Sequence, residues 1–260
     1  MMVKWYELTK NQFSEYKNES LVAINFSSTE QHSNHLPVGT DGILGEAVLI
    51  EAARRSKSNI LVMPSVYYGY SPHHKFAPGY VTIDQSTLVS YCEDIGKCVY
   101  ENGFNKLVFL NSHGGNMSYL QFAVNELGEK YEDYMDVALI KYWDLIDDRI
   151  AQVRETTMGG MGHAGEFETS MMMYLHPELV NRKAIAECPP AKGDPYYQAD
   201  LIGKKRYGKF ISFDKYDKNG NLGQAQFANA EKGKVFFEAA ANAVARFFDF
   251  WCSNTEENKR

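Results

Sequence analysis

Cysteine is scarce: Cys92, Cys98, Cys188 and Cys252 are the four in 260 residues, and no two form a C-x-x-C pair. That spacing speaks against a cysteine-based zinc site and favours reduced, buried thiols over a disulfide framework. There is no cationic excess either, since 27 Lys and Arg against 33 Asp and Glu leave a net charge of −6. A surface that tracks phosphates declares itself as clustered Lys and Arg, so no nucleic-acid partner is expected. No apolar run approaches the roughly 18–20 residues that a membrane helix needs. Met1-Met2-Val3-Lys4-Trp5-Tyr6-Glu7 carries no apolar leader stretch, so the expectation is a cytoplasmic protein with no membrane partner. Internal repeats and low-complexity tracts are absent, and a 44% hydrophobic content with 20 Gly and 8 Pro excludes disordered, collagenous and coiled-coil chains. One globular domain over residues 1–260 is the expectation.

What is present is alternation. Short apolar runs rich in β-formers at 21–26, 60–66, 107–110 and 137–142 read as buried strands, apolar on both faces. Helical spacing fills the stretches between them at 43–54, 85–102 and 117–131, and recurs at 165–175 and 230–252. The pattern predicts an α/β fold with a central, mostly parallel sheet and helices on both faces. Ligands of such sheets bind beyond the carboxyl ends of the strands. Residues 181–229 form a stretch too long for an ordinary loop, which is expected to cover the site or build a subunit contact. Val235, Phe236, Phe237, Ala240, Val244, Phe247, Phe248 and Trp251 on the last helix offer more apolar surface than a monomer exposes.

Six of the seven histidines, His32, His35, His73, His74, His113 and His163, fall in loops after predicted strands or just before a helix. In the first cluster, Glu30-Gln31-His32 begins beyond the first strand, and residues i and i+2 of extended chain face one way. Asp41 opens the following helix. Alone it reads as an N-cap, and His32 or His35 alone as a loop residue bonded to backbone. Together, Glu30, His32 and Asp41 supply the mixed carboxylate and imidazole set that suits Zn²⁺, Mn²⁺ or Fe²⁺. In the second cluster, Asn111-Ser112-His113-Gly114-Gly115-Asn116, His113 is a candidate third ligand. Gly114-Gly115 lets backbone approach a ligand, with a phosphate cradle as the alternative. The third is His163-Ala164-Gly165-Glu166-Phe167-Glu168-Thr169-Ser170. Glu168 shares the i, i+3, i+4, i+7 stripe of Met171, Met172 and Leu175, so it needs a partner against the core, a metal or a salt bridge. Glu166 is expected on the exposed side. Glu168 is the candidate functional acid and His163 the candidate proton shuttle. The stretch 67–80, with Tyr70, Ser71 and His74, offers aromatic walls and hydroxyls to a small polar substrate.

These motifs, in this order and with Leu36-Pro37-Val38-Gly39-Thr40-Asp41, Pro78-Gly79 and Ala230-Glu231-Lys232-Gly233, resemble the creatininase (creatinine amidohydrolase) family over about residues 20–245. The resemblance implies an α/β metal-dependent hydrolase assembled as a homohexamer. It implies Glu30, Asp41 and His113 on one divalent metal, with His32 and Asp41 on a second. By the same resemblance His163 does acid–base work and Ser71 contacts substrate. Two positions depart from the family pattern. Gly115 stands where true creatininases carry a Glu on the second metal, leaving that metal weak, absent or completed by Glu168 or water. Gly159 stands where they place a Trp against the creatinine ring, so creatinine is not the expected substrate. The resulting expectation is metal-assisted hydrolysis of a cyclic or linear amide. The alternatives are hydrolysis of a cyclic carbohydrate ketone or lactone, and a metal-binding module without turnover.

Overall fold

Ser20–Phe26 is buried at all seven positions, and a strand of that kind needs cover on both faces. In the computed structural model, which describes residues 1–17 and 19–254, it is the central strand of a five-stranded sheet. The strands are β1 (Met2–Lys4), β2 (Ser20–Phe26), β3 (Asn59–Val62), β4 (Lys106–Asn111) and β5 (Asp136–Lys141). Their order is β1-β3-β2-β4-β5, and every neighbouring pair is parallel. The helices are α1 (Thr40–Arg55), α2 (Gln85–Glu101), α3 (Met117–Lys130), α4 (Asp147–Val153), α5 (Glu166–Leu175) and α6 (Ala230–Asn254).

Alternation along β2 divides the core. Leu21 and Ala23 join Leu44 and Val48 of α1, Phe167 and Met171 of α5 and Phe236 and Phe248 of α6. Val22, Ile24 and Phe26 join Leu88 and Cys92 of α2 and Leu120 and Leu127 of α3 on the opposite face. Both faces are thus covered, and the α/β expectation holds with a sheet that is wholly parallel. The single-domain expectation over 1–260 extends to Asn18 and residues 255–260, which lie outside the described residues.

Three details differ from the sequence reading. Helix α6 takes up most of its aromatic stripe within the chain: Phe236, Ala240, Val244 and Phe248 are fully buried against α1 and α5, while Val235, Phe247 and Trp251 are partly buried. Strand β1 and helix α4, too short for a periodic signal, were not anticipated. Cys98 is exposed, unlike the buried Cys92, and no disulfide joins the four cysteines. No helix among the described residues is long and apolar enough to cross a membrane.

The topology fixes where a ligand can sit. From β2 the chain crosses by α1 to β3 on one side, whereas from β4 it crosses by α3 to β5 on the other. Adjacent strands whose connections depart in opposite directions leave a crevice at their carboxyl ends. The loops that follow β2 and β4 there are those carrying Glu30, His32 and His113.

Candidate metal centre and cavity

At the mouth of this crevice the chain places Glu30 and His32 from the loop after β2 and Asp41 from the first turn of α1. His113 comes from the turn after β4 and Glu168 from α5. Asp41 does not cap its helix; Gly39 holds the N-cap position with no side-chain hydrogen bond. Its carboxylate instead divides between two imidazoles. Oδ2 lies 3.0 Å from His113 Nδ1 and Oδ1 lies 3.1 Å from His32 Nε2. Glu30 Oε2 stands 3.1 Å from His113 Nδ1, and Glu168 Oε2 stands 3.8 Å from His32 Nε2. Two triplets result, Glu30/Asp41/His113 and His32/Asp41/Glu168, each able to hold a metal ion and sharing Asp41.

The residues fit such an ion. Glu30 Oε2 and Asp41 Oδ2 are buried without a hydrogen-bond partner, close enough to His113 for an ion pair yet off the line of a hydrogen bond. Ligands of a tetrahedral Zn²⁺ bound at 2.0–2.1 Å stand about 3.3–3.4 Å apart, close to the spacings found here. The far nitrogens are already committed: His113 Nε2 donates to the Tyr70 carbonyl at 3.2 Å and His32 Nδ1 to the Glu30 carbonyl at 3.1 Å. Backbone carbonyls so placed set the tautomer and aim the other nitrogen into the centre.

Charge follows the same geometry. Burial raises the carboxyl pKa of Glu30, but the His113 and His74 charges outweigh it and hold the group well below its ordinary value. Burial lowers the His32 pKa, and Asp41 more than reverses that, to about 9. His113 is raised well above its usual value despite burial, by Glu30 and Asp41. Without a metal, protons on these imidazoles neutralise the carboxylates. Glu168 is raised to about 7, by burial first, with His32 opposing and Asp41 adding.

Next to this centre lies His163. Its Nε2–H donates to the Gln31 carbonyl at 2.6 Å and its Nδ1 is 3.4 Å from Glu30 Oε1. Burial, then the charges of His32 and His74, hold its pKa well below the usual imidazole value, so the ring is neutral at pH 7. The following residue, Ala164, has φ 53°, rare for a residue with a side chain, and its N–H is held by Glu168 Oε2 at 2.7 Å.

The other sequence candidates are distributed as follows. His74 is buried 3.1 Å from Glu30 Oε1. Gly114 lines the cavity beside His113. Ser71 is buried and accepts from the Ser28 hydroxyl at 2.9 Å, behind the carboxylates. Tyr70 packs edge-on against Tyr119 and contributes its carbonyl to His113. His35 turns away to Thr169 Oγ1 at 2.9 Å on α5. Glu166, expected at the surface, is fully buried: it binds Lys232 Nζ at 2.6 Å, the Thr156 hydroxyl and the N–H groups of Glu155 and Thr156. Its distance from the apolar stripe faces it into a second element, α6, which helical periodicity does not reveal.

Gln31 and His73 stand in the clusters that the sequence singles out, but sequence reasoning assigns neither of them a role. Gln31 Nε2 donates to His74 Nδ1 at 2.9 Å and to the Gly220 carbonyl at 3.1 Å, tying the loop after β2 to the irregular segment. His73 stacks on His113, with centroids 5.6 Å apart and rings 3° from parallel. Residues 181–229 cover the site. The Phe213 ring centroid lies 4.6 Å from those of His73 and His74 and 5.3 Å from that of His163, and the half-open cavity beside them measures about 450 Å³.

Both departures from the family pattern are built into the backbone. A Cβ at Gly115 would meet the Tyr70 carbonyl oxygen at 2.5 Å and His113 Nε2 at 2.4 Å. Gly159 has φ 100°, and a Cβ there would meet the Ala191 carbonyl oxygen at 2.4 Å. Neither a Glu at 115 nor a Trp at 159 has room.

The sequence profile of the creatininase (creatinine amidohydrolase) family matches residues 6–248. The creatinine amidohydrolase of Pseudomonas putida is 30% identical over 231 residues, covering 83% of this chain and 84% of that protein. The 3-dehydro-scyllo-inosose hydrolase of Thermotoga maritima is 26% identical over 254 residues, covering 91% and 79%. Solved structures described as the Mn form of creatininase and the Zn–Zn form of a creatininase mutant superpose with a TM-score of 0.81. Each is 26% identical and covers 95% of this chain and 97% of its own.

Proposed function

Since the chain belongs to the creatininase family of metal-dependent hydrolases, we propose that it cleaves a C–N amide bond of a small polar molecule. In this reading Glu30, Asp41 and His113 would hold one divalent metal ion, and His32, Asp41 and Glu168 would hold a second, of Zn, Mn or Fe. The observation that carries it is Asp41, whose two oxygens each face an imidazole nitrogen at 3.0–3.1 Å with a second carboxylate behind. When bound, such a metal supplies a water acidic near neutral pH and a Lewis acid for the carbonyl oxygen.

The chain's own groups manage the proton. Neutral His163 keeps Nε2–H on the Gln31 carbonyl, so Nδ1 is the nitrogen with a lone pair to accept the proton of the attacking water. The imidazolium then faces Glu30 Oε1, 3.4 Å away, which stabilises it until the proton passes to the departing amine. Glu168 would be a ligand of the second ion; in the metal-free chain its carboxyl is pushed up to about 7, chiefly by burial. His74 holds Glu30 in place, Gly114 presents open backbone to the substrate, and the Tyr70 carbonyl orients His113. Phe213 keeps bulk water off the histidines.

A second reading, hydrolysis of a cyclic carbohydrate ketone or lactone, draws support from the Thermotoga relative's description and from Tyr197 and Tyr216 on the cavity wall. Three carboxylates among five ligands speak against a metal module without turnover, because closed structural sites are built from Cys and His. We also read the chain as cytoplasmic and as a homohexamer; exposed Tyr91, Phe122 and Tyr134 on and beside α2 and α3 support a contact between copies. Amine release from a panel of N-acyl compounds by metal-loaded protein, with Glu30→Gln as control, tests the hydrolase. Turnover that Glu30→Gln abolishes supports it, and no turnover across the panel by fully loaded protein counts against it. Light scattering of the same sample tests the hexamer.

A further inference from the structure

Away from the metal ligands, the cavity wall turns cationic. Lys141, Lys205 and Lys209 line it together with Tyr197. The Tyr197 ring carries two of these ammonium groups, Lys209 Nζ at 4.6 Å and Lys205 Nζ at 5.8 Å from its centroid, and such contacts hold a cation without neutralising it.

The local carboxylates are largely spoken for. Asp200, also on this wall, is fully buried and accepts from Arg154 at 2.9 Å and from the N–H groups of Gly159 and Met161. Asp194, 3.8 Å from Lys209, already takes the Tyr207 hydroxyl and the Tyr196 N–H. Lys141 pairs with Asp144. Among the described residues no carboxylate lies within ion-pairing distance of Lys205. Lys205 leaves much of its surface to solvent, yet protein packed around its ammonium lowers its pKa, and the like charge of Lys141 adds to that, against the smaller opposing pull of Asp200 and Asp144. Three lysines gathered in a half-enclosed cleft, with Lys205 outside ion-pairing distance of any carboxylate among the described residues and the Asp194 partner of Lys209 shared with two other donors, focus a positive field onto whatever enters it.

We propose that Lys141, Lys205 and Lys209 form an anion subsite, and that the molecule hydrolysed at the neighbouring metal centre carries a carboxylate or phosphate remote from its scissile bond. The inference rests on reading that centre as hydrolytic. Ammonium groups bind either oxyanion as point charges, so the experiment distinguishes the two.

Titration calorimetry of the Zn-loaded protein with N-acetyl-β-alanine, N-acetyl-O-phosphoethanolamine and N-acetylethanolamine compares carboxylate, phosphate and neutral ends on one short acetamide frame. At least one anion is expected to bind ten times or more tightly than the neutral compound, and the better of the two identifies the group. In Lys205→Met/Lys209→Met the ratio falls to about one with metal content unchanged; Lys205→Arg/Lys209→Arg retains it. A ratio near one in the wild type, or no binding by either anion at millimolar concentration, overturns the subsite. So does a ratio untouched by the Met variant, which would place the anion on the metal. Amine release followed in parallel separates the two readings: equal cleavage of all three leaves the hydrolase standing without the subsite, and anion preference without cleavage of any does the reverse.

Discussion

Replacing Glu168 by Gln removes one charge from one of two adjoining ligand triplets. Glu168 Oε2 is 3.8 Å from His32 Nε2, while the triplet Glu30, Asp41 and His113 does not include it. Glutamine keeps an oxygen for the Ala164 N–H bond, so the turn before α5 stays in place. The magnitude follows from whole-site affinities: about 10–16 kcal/mol for a four-ligand zinc site is roughly 2.5–4 kcal/mol per ligand. At 1.4 kcal/mol per decade, that is about 10²–10³ in affinity. After exhaustive dialysis against metal buffered about tenfold above the wild-type dissociation constant of the weaker ion, Glu168→Gln is expected to retain about one ion per chain against about two in the wild type. Retention of both ions with undiminished affinity would refute the assignment of Glu168 to the second triplet. Loss of both would refute the independence of the first.

Other outcomes follow from the same geometry. Metal uptake at pH 7.5 is expected to release about one proton per ion. His32 titrates at about 9 and His113 well above its ordinary value, and both must be neutral to ligate; calorimetry in buffers of differing ionisation enthalpy counts the protons, and none released would contradict the charge assignment. A folded-state pKa above the unfolded value of 6.5 means that the His32 contribution to metal-free stability is complete below pH 6.5 and fades as pH rises through about 9. Glu168, raised from 4.5 to about 7, costs stability in the same upward direction, so chelated protein should melt at lower temperature at pH 9 than at pH 6.5; a rise would count against both shifts. Lys232→Met leaves buried Glu166 without its cation and is expected to destabilise by about 3–5 kcal/mol, read from urea unfolding, with a loss under about 1 kcal/mol contradicting it. Gly115→Glu, which restores the family's ligand, is expected to lower metal content and thermal stability because the Tyr70 carbonyl blocks it; a gain in either would show that the turn yields.

Much of this site was legible because strand ends in a parallel sheet are places, and the sequence puts Glu30, His32 and His113 immediately after two of them. Periodicity located Glu168 through its stripe with Met171, Met172 and Leu175. The same argument failed for Glu166, because a helix buried on two sides has no exposed face and Lys232 lies 66 residues further on. It also misjudged α6, whose aromatic stripe meets α1 and α5 within the chain. The contacts of Gln31 and His73 escaped for a different reason: one amide joining His74 to Gly220 and one imidazole stacked on another are meetings of loops, which no spacing rule predicts. The covering role of residues 181–229 was open in the sequence between site and subunit contact, and Phe213 against three histidines decides for the site.

The central claim is that Asp41 joins two metal positions in one hydrolytic centre. Anomalous diffraction at the zinc edge from crystals of Zn-loaded protein tests it most directly. The account predicts two peaks per chain, one among Glu30, Asp41 and His113 and one among His32, Asp41 and Glu168. An ordered, folded protein with a peak at only one of these positions, or at neither, would contradict it.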